Sequence, residues 1–230
     1  MAENSSTRVD RVFGEIRADI LAGRRQPGSV LRLADLVSRH NASMGVVREA
    51  LSRISSQGLV ENRPQHGFRV VSISAEDLNH LTDARCSIEV LVLREAIAHG
   101  DLAWEGELLA AHHTLTRRSQ MDDEDPARFS DNWTAAHAAF HAAMLRGCPN
   151  PRLLDIAASL RDSAELYRRW SVPLGHDENR DIAGEHLRLL EAALDRDAER
   201  AATALTNHIR HTTRVLLENA ATSADQKADG

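Results

Sequence analysis

Two histidines lie four residues apart in the stretch WTAAHAAFHAAML, residues 133–145. In a helix, residues four positions apart lie on the same face, so His137 and His141 would be one turn apart. Two imidazoles in that arrangement are typical of a metal-binding helix. Chance is the alternative, because the chain contains 12 histidines. The stretch alone leaves both interpretations open.

The composition is that of a globular protein with a hydrophobic core. Of the 230 residues, 42% are hydrophobic and 27% are charged, which suits one large domain or two modest ones. The sequence has no apolar run of the about 18 residues that a membrane span needs, and its N-terminus lacks an apolar signal-peptide core. We therefore expect a cytoplasmic protein with no membrane partner. Cys86 and Cys148 form neither a CxxC pair nor a disulfide framework, so both are predicted to be free thiols.

The charge is unevenly divided along the chain. Residues 8–73 contain eleven arginines and six carboxylates, whereas the rest contains 17 basic and 28 acidic residues. A basic segment in a chain of net charge −6 is typical of contact with a polyanion such as nucleic acid. Chance clustering of solvated charge is the alternative.

Residues 8–73 have the pattern of a winged helix-turn-helix. Apolar residues three or four apart predict a helix that stops at Gly23, and LRLADLVSRH predicts a short second helix. Ser43 is placed to cap a third helix, MGVVREALSRISSQGLV. Two β-rich runs, 59–62 and 68–73, follow around a Pro/Gly turn. In this layout the helix after the turn enters the major groove of DNA.

This segment resembles the DNA-reading domain of GntR-family regulators in the stretches ILAGRRQPGSVLRLADL, VVREALSRISSQGLV and HGFRV. The resemblance implies that Ser43 and Arg48 contact DNA at the recognition helix. It also implies that His66 and Gly67 lie at the wing tip in the minor groove. The chain departs from the family at Met44, where arginine is usual and where a thioether cannot make a bidentate base contact, which leaves the operator sequence open. The alternative for Arg48 is a helix salt bridge, and for His66 an exposed turn.

The remainder of the chain, residues 75–220, is predicted to be a helical domain. Helical patterns cover six segments without a strand between them: 75–99, 101–120, 125–146, 150–170, 178–195 and 197–218. Six helices in that length predict an antiparallel bundle. Residues 221–230 are small and polar and are predicted to form a flexible tail. The predicted fold class is therefore mainly α, with a winged helix-turn-helix followed by a bundle of six or seven helices.

Four histidines of this second part follow a pattern across three helical segments. His137 and His141 share one segment, His186 lies in GEHLRLL and His208 in TNHIRHT. This order resembles the FCD effector domain of the FadR subfamily of GntR regulators, and it implies a metal site formed by these four residues, with His137 where many members have aspartate. Imidazole ligands favour zinc, with nickel or manganese as alternatives, over magnesium or calcium. His211 is the rival of His208 for the fourth position.

An anionic effector is expected beside this metal. The stretch LTDARCSIEVLVLREA resembles the first FCD helix, whose arginine often binds the carboxylate of an effector, and here that residue is Arg85. An ion pair with Glu89, four residues on, is an equal alternative. Tyr167 and Arg168 of ELYRRW are further candidates for the pocket. Several phrases resemble the CsiR branch of these regulators, tied to glutarate and related acids, so a short dicarboxylate is expected first.

The patterns together predict a metabolite-responsive transcriptional regulator and not an enzyme. It would bind a near-palindromic operator in double-stranded DNA as a homodimer. As a repressor, it would leave the operator when a small carboxylate enters the metal pocket. The alternative is a metal sensor in which the ion itself is the signal. A hydrolase or oxygenase is disfavoured, because no general base or nucleophile accompanies the histidines and a DNA-reading segment has no place in such an enzyme.

Overall fold

Apolar residues recur every three or four positions along most of the chain, and the fold is accordingly mainly helical, as the sequence predicts. The computed structural model describes residues 5–63, 67–72, 74–123, 129–171 and 180–228. The chain divides into two compact units. The first is Met1–Ser74 with Asp162–Arg169, and the second is Ala75–Arg161 with Trp170–Gly230.

Three helices form the core of the first unit: α1 (Ser5–Leu21), α2 (Leu33–His40) and α3 (Met44–Ser56). The apolar faces of α1 and α3 pack together and are fully buried; they consist of Val12, Ile16, Ile20, Val47, Leu51 and Ile54. Asn41 ends α2 in the left-handed conformation. Ser43 begins α3, because its Oγ accepts a hydrogen bond from the backbone N–H of Val46 at 3.3 Å. The turn between the two helices is therefore fixed at both ends.

A small antiparallel sheet completes the first unit. In the described residues it contains β1 (Val30–Leu31), β2 (Val60–Arg63) and β3 (Gly67–Val70), in the order β1-β3-β2. Phe68 and Val70 of β3 are buried, with the period of two expected of a strand that has one face on the core. The sequence predicts the two strands of the hairpin. The two-residue β1 is too short to produce a periodic pattern.

The second unit is built from long helices: α4 (Ala75–His99), α5 (Leu102–Thr116), α6 (Asp131–Leu145), part of α7 (Pro151–Ser171), α8 (Ile182–Leu194) and α9 (Ala198–Ala228). Each of the six predicted segments overlaps one of them. Asp101, Ser130 and Asp181 begin α5, α6 and α8, since each side chain accepts a hydrogen bond from a backbone N–H of the first turn. The helix α9 continues to Ala228, beyond residue 218 where its apolar pattern ends. In the described part of the chain, none of the helices combines the length and apolar character needed to span a membrane.

An apolar cluster holds α4, α5, α6, α8 and α9 together, with fully buried members on every one of these helices, among them Leu93, Leu108, Phe140, Leu189 and Leu205. Gly147 lies where the chain after α6 packs closely against Ala96 and Trp104. A Cβ added there would lie 2.7 Å from the carbonyl oxygen of Ala96 and 3.1 Å from Trp104. A glycine therefore allows the segment after α6 to approach α4 closely.

Replacing Gly147 with alanine is expected to destabilise the protein by about 1–3 kcal/mol, the usual cost of overpacking, because the new Cβ meets backbone atoms that cannot move aside. Gly106 is the matched control. It is an exposed residue of α5, and a Cβ there meets nothing within 4 Å, so alanine should raise stability by up to about 1 kcal/mol. Urea unfolding measures both free energies. Equal stability of the two variants would contradict the packing argument.

Candidate metal centre and nucleic-acid interface

The helices α6, α8 and α9 bring four imidazoles together. His137 and His141 lie one turn apart on α6, His186 is on α8 and His208 is on α9. One ring nitrogen from each residue lies within 4.8 Å of those of the other three. His141, His186 and His208 are buried, and His137 is half-buried. These residues, which come from three separate segments of the sequence, form one group, named here the four-histidine cluster.

Aromatic side chains line the four-histidine cluster. Phe140 is fully buried and contacts the rings of His141 and His186 edge-on, with centroid distances of 5.4 and 5.3 Å. Trp133 stacks on His137 at a centroid distance of 4.8 Å. His141 and His186 are thereby shielded from water, and electrostatic interactions are stronger in such an environment.

Several imidazole nitrogens of the cluster lack a hydrogen-bond partner. Both ring nitrogens of His141 and Nε2 of His186 are buried and make no hydrogen bond to any residue that the structure describes. Leaving a buried polar atom unpaired costs about 1–3 kcal/mol, so folded proteins normally supply a partner. A divalent transition ion fits this need, because it accepts a lone pair from each of several neutral imidazoles at once. The donor set differs from the oxygen-rich sites that magnesium and calcium prefer.

Burial keeps these imidazoles neutral. It lowers the pKa of His141 well below the usual value, lowers the pKa of His208, and lowers that of His186 to about 2. The neighbouring imidazoles act in the same direction on His141, as does the charge of Arg85. The neutral form is the one that binds metal ions, so protons compete only weakly for the cluster near neutral pH.

Glu185, which the sequence patterns did not single out, orients His208. Its Oε2 accepts a hydrogen bond from Nδ1 of His208 at 2.7 Å, and two nitrogens of Arg180 donate to the same carboxylate at 2.9 and 2.6 Å. With its proton on Nδ1, His208 has its free lone pair on Nε2, as ligating histidines commonly do. Burial alone would raise the pKa of Glu185, but the hydrogen bonds from His208 and Arg180 outweigh it and hold that pKa far below its usual value.

His211, the rival for the fourth position, contacts this carboxylate instead. Its Nδ1 lies 3.1 Å from Oε1 of Glu185, whereas His208 belongs to the four-histidine cluster. The sequence does place Glu185 directly before the candidate ligand His186. The contact of Glu185 with α9, however, depends on how α8 packs, which the sequence does not contain.

Arg85 forms an ion pair with Glu89, four residues on. The spacing of the two residues indicated this pair as the alternative to effector binding. Nε of Arg85 donates to Oε1 of Glu89 at 2.6 Å, and only 13% and 0% of the two side chains are exposed. Oε2 of Glu89 is buried and makes no hydrogen bond to a described residue. The charge of Arg85 lowers the pKa of both His141 and His208, so Arg85 lies near the cluster. A guanidinium has further donors beyond Nε, so the pair leaves Arg85 able to bind a second anion.

Tyr167 and Arg168 lie in the part of α7 that belongs to the first unit. The hydroxyl of Tyr167 accepts a hydrogen bond from the backbone N–H of Ser74 at 3.4 Å. Arg168 donates two hydrogen bonds to Glu165, at 2.8 and 2.7 Å. Both side chains are buried. These contacts hold the chain together within the first unit and involve none of the four histidines.

The outward face of α3 carries Arg48. Its side chain is exposed and makes no hydrogen bond or ion pair to the residues that the structure describes. Arg53, further along α3, is instead paired with Asp10 at 2.7 Å and lies over the ring of Phe13. Arg48 is therefore free to meet a phosphate or a base edge. Ser43 is exposed at the start of the same helix, which it caps.

Gly67 begins β3 with a φ of 75°, in the left-handed region that favours glycine. A Cβ at this position would meet nothing within 4 Å, so the backbone is open to close approach. His66, the other residue expected at the wing, lies outside the described residues.

The metal-free protein is expected to lose stability as the pH falls below about 6.5. His141, His186 and His208 have lowered pKa values in the folded state and ordinary ones when unfolded, so the unfolded chain binds more protons and acid favours it. His141 and His186, whose pKa values lie furthest below the usual one, each cost up to about 1.4 kcal/mol for every pH unit below that value. Urea unfolding of chelator-treated protein between pH 7.5 and pH 5.5 measures the slope.

His186→Asn should make that slope shallower, whereas the same substitution at the exposed His80 should leave it unchanged. A free energy of unfolding that does not vary with pH in this range would show that the cluster is not held neutral by burial.

Family models match two parts of the chain. The model described as bacterial regulatory proteins, gntR family, matches residues 8–70, and the FCD domain model matches residues 80–211. The HTH-type transcriptional regulator BphR of Paraburkholderia xenovorans (strain LB400) is 33% identical, over 93% of this chain and 86% of that protein. The HTH-type transcriptional repressor GlaR of Escherichia coli (strain K12) is 35% identical, over 84% of this chain and 89% of that protein.

Solved structures share the fold. E. coli McbR/YncC, at 18% identity, aligns over 95% of this chain and 99% of that chain with a TM-score of 0.78. A transcriptional regulator GntR from Rhodococcus sp. RHA1, at 21% identity, aligns over 92% and 98% with a TM-score of 0.72. The matching families and relatives are transcriptional regulators and not enzymes. The chain therefore belongs to the GntR family of DNA-binding transcriptional regulators, with an FCD domain after its helix-turn-helix domain.

Proposed function

We propose that this regulator is a repressor that binds a near-palindromic operator as a homodimer and leaves it when a small carboxylate binds at the four-histidine cluster. The observation that carries the proposal is the cluster itself. Unpaired nitrogens of neutral imidazoles lower the stability of an apolar core, but they are suited to bind a metal ion. The cluster also belongs to the unit that does not contain α3, as a site for a regulatory ligand would.

His137, His141, His186 and His208 would hold one divalent transition ion, with zinc first and nickel or manganese as alternatives. The ion would supply a concentrated positive charge that attracts a carboxylate. Glu185 keeps His208 oriented, and burial keeps His141 and His186 in the neutral form. Neutral ligands leave the charge of the ion undiminished, so the site favours an anion with two negative charges over one with a single charge.

A dicarboxylate related to glutarate is the effector class that we propose. Arg85 lies near the cluster, and the amino groups that Glu89 does not use would bind the second carboxylate through charge-assisted hydrogen bonds. Glu89 holds the other edge of the guanidinium. Tyr167 and Arg168 are weaker candidates for this pocket, because their hydroxyl and guanidinium groups already bind Ser74 and Glu165 in the first unit.

On the DNA side, we assign the major groove to α3, with Ser43 and Arg48 as contacts, and the minor groove to the wing, with His66 and Gly67. The relative GlaR is named a repressor, which supports repression here. A near-palindromic operator would match the two-fold symmetry of a homodimer. The carboxylate can release the operator only if it binds the DNA-free conformation more tightly than the DNA-bound one.

A metal sensor is the second candidate function. The four imidazoles favour it, because an ion with four side-chain ligands has no open position in a tetrahedral site, as in structural zinc sites. The ion would then be the signal, and no carboxylate would be needed.

Arg48→Ala is expected to weaken specific operator binding by about 30-fold or more, since a base contact worth about 1–3 kcal/mol would be lost in each half-site of the dimer. Fluorescence anisotropy with a selected operator measures this, and the melting temperature should not change because Arg48 is exposed. Arg94→Ala is the control, because Arg94 is an exposed arginine of α4 that pairs with Glu199. This variant should bind the operator with wild-type affinity. Unchanged operator affinity in Arg48→Ala would refute the assignment of α3.

Protein purified without a histidine tag is expected to contain about one transition ion per chain by elemental analysis. A double variant, His141→Ala with His186→Ala, should lose the ion, and His211→Ala should keep it. Glu185→Gln should weaken metal affinity by about 10–100-fold, because the partner that orients His208 is altered. Wild-type metal content in the double variant would remove the metal site from the proposal.

Operator binding then separates the two candidate functions. If glutarate releases the operator from metal-loaded protein, and Arg85→Ala weakens that response without losing the ion, the carboxylate is the signal. If adding or removing the ion alone changes operator affinity and no dicarboxylate does, the protein is a metal sensor.

A further inference from the structure

The N-terminal half of α3 presents a short outward face. Val47 is fully buried, whereas Met44 and Arg48, four residues apart, are exposed on one side of the helix. Gly45 follows Met44, and a Cβ at that position would have only the Oγ of Ser43 within 4 Å. The side chain of Met44 is therefore unshielded on the flank formed by Gly45.

Met44 is unusual on this face because it is apolar. It is 51% exposed, and among the described residues of the first unit the other large apolar side chain exposed to a similar extent is Val30 of β1, at 46%. With about half of its surface exposed, Met44 is not among the buried residues that form the core. Placing it in water is unfavourable, and it gains free energy only against another apolar surface.

The chemistry of the base edges identifies that surface. In the major groove, thymine alone among the four bases carries an apolar methyl group. A thioether has no hydrogen to donate, so it cannot bind the O6 and N7 acceptors of guanine, and its sulfur is a weak acceptor. The unbranched side chain of methionine adapts readily to an apolar contact.

We therefore infer that Met44 contacts a thymine methyl group in each half-site and specifies a T·A pair there. Arg48, one turn along the same face, holds the helix on a neighbouring phosphate or guanine. This inference rests on the proposed entry of α3 into the major groove. Met44 cannot bind the acceptors of guanine, but by this inference it recognises the methyl group of thymine.

Deoxyuridine differs from thymidine only by the missing methyl group and so gives a direct test. Operators are first selected from a random duplex pool with the full chain, and each thymine is then replaced by deoxyuridine in turn. At one thymine per half-site, the wild-type protein is expected to lose about fourfold in affinity, the factor for one buried methyl group. Met44→Ala should bind the unmodified operator more weakly and should be indifferent to the same replacement.

Two further variants sharpen the result. Val30→Ala removes the other exposed apolar side chain and should keep the full sensitivity to deoxyuridine. Met44→Arg should change the selected base at that position from thymine to guanine, because a guanidinium binds O6 and N7 together. Melting temperatures of the variants at Met44 should equal that of the wild type, since the side chain lies outside the core.

The inference is wrong if the wild-type protein tolerates deoxyuridine at every thymine, or if Met44→Ala shows the same loss at the same position. In either case operator binding itself would stand, and so would the proposed function. If the wild-type protein selects no duplex from the pool, the proposed function fails and the inference fails with it.

Discussion

The burial of imidazoles between α6, α8 and α9 is the constraint on which the second unit depends. A neutral histidine in an apolar core still carries two polar nitrogens, and those of His141 have no partner among the described residues. The surrounding apolar contacts, with Phe140 at their centre, offset that cost. The carboxylate of Glu185 ties α8 to α9 through His208. The relative positions of these helices are therefore set by polar contacts as well as by packing.

The sequence predicted what depends on local spacing. The period of apolar residues predicted the helices and the fold class, and the four-residue spacing of His137 and His141 predicted their shared face. A resemblance, rather than spacing, supplied His186 and His208. Spacing gave the pair of Arg85 with Glu89 as one of two equal alternatives, and its nearly complete burial depends on tertiary packing. Glu185 and Arg180 escaped prediction for the same reason, because their contacts with α9 join residues far apart in the chain.

The structure shows which basic residues of the first unit are available to a partner. The sequence contains eleven arginines in residues 8–73 but does not say which of them are available. Arg53 is paired with Asp10, and Arg24 and Arg39 both contact Asp19. Internal ion pairs thus remove several of these charges from contact with a partner. Arg48, like Arg25 and Arg32, has no such pair among the described residues, and it is the one of these three that lies on α3.

The stacking of Trp133 on His137 gives the cluster an optical property. The emission of an indole responds to the electronic state of a ring that lies against it. A closed-shell ion such as zinc leaves that emission largely intact, whereas an ion with unpaired electrons, such as nickel, quenches it. Trp104 is buried elsewhere in the core, with its Nε1 bonded to the carbonyl oxygen of Ala143, and supplies an internal reference. The chain thus carries its own unlabelled fluorophore at the edge of the cluster, and its spectrum would distinguish one occupant from another.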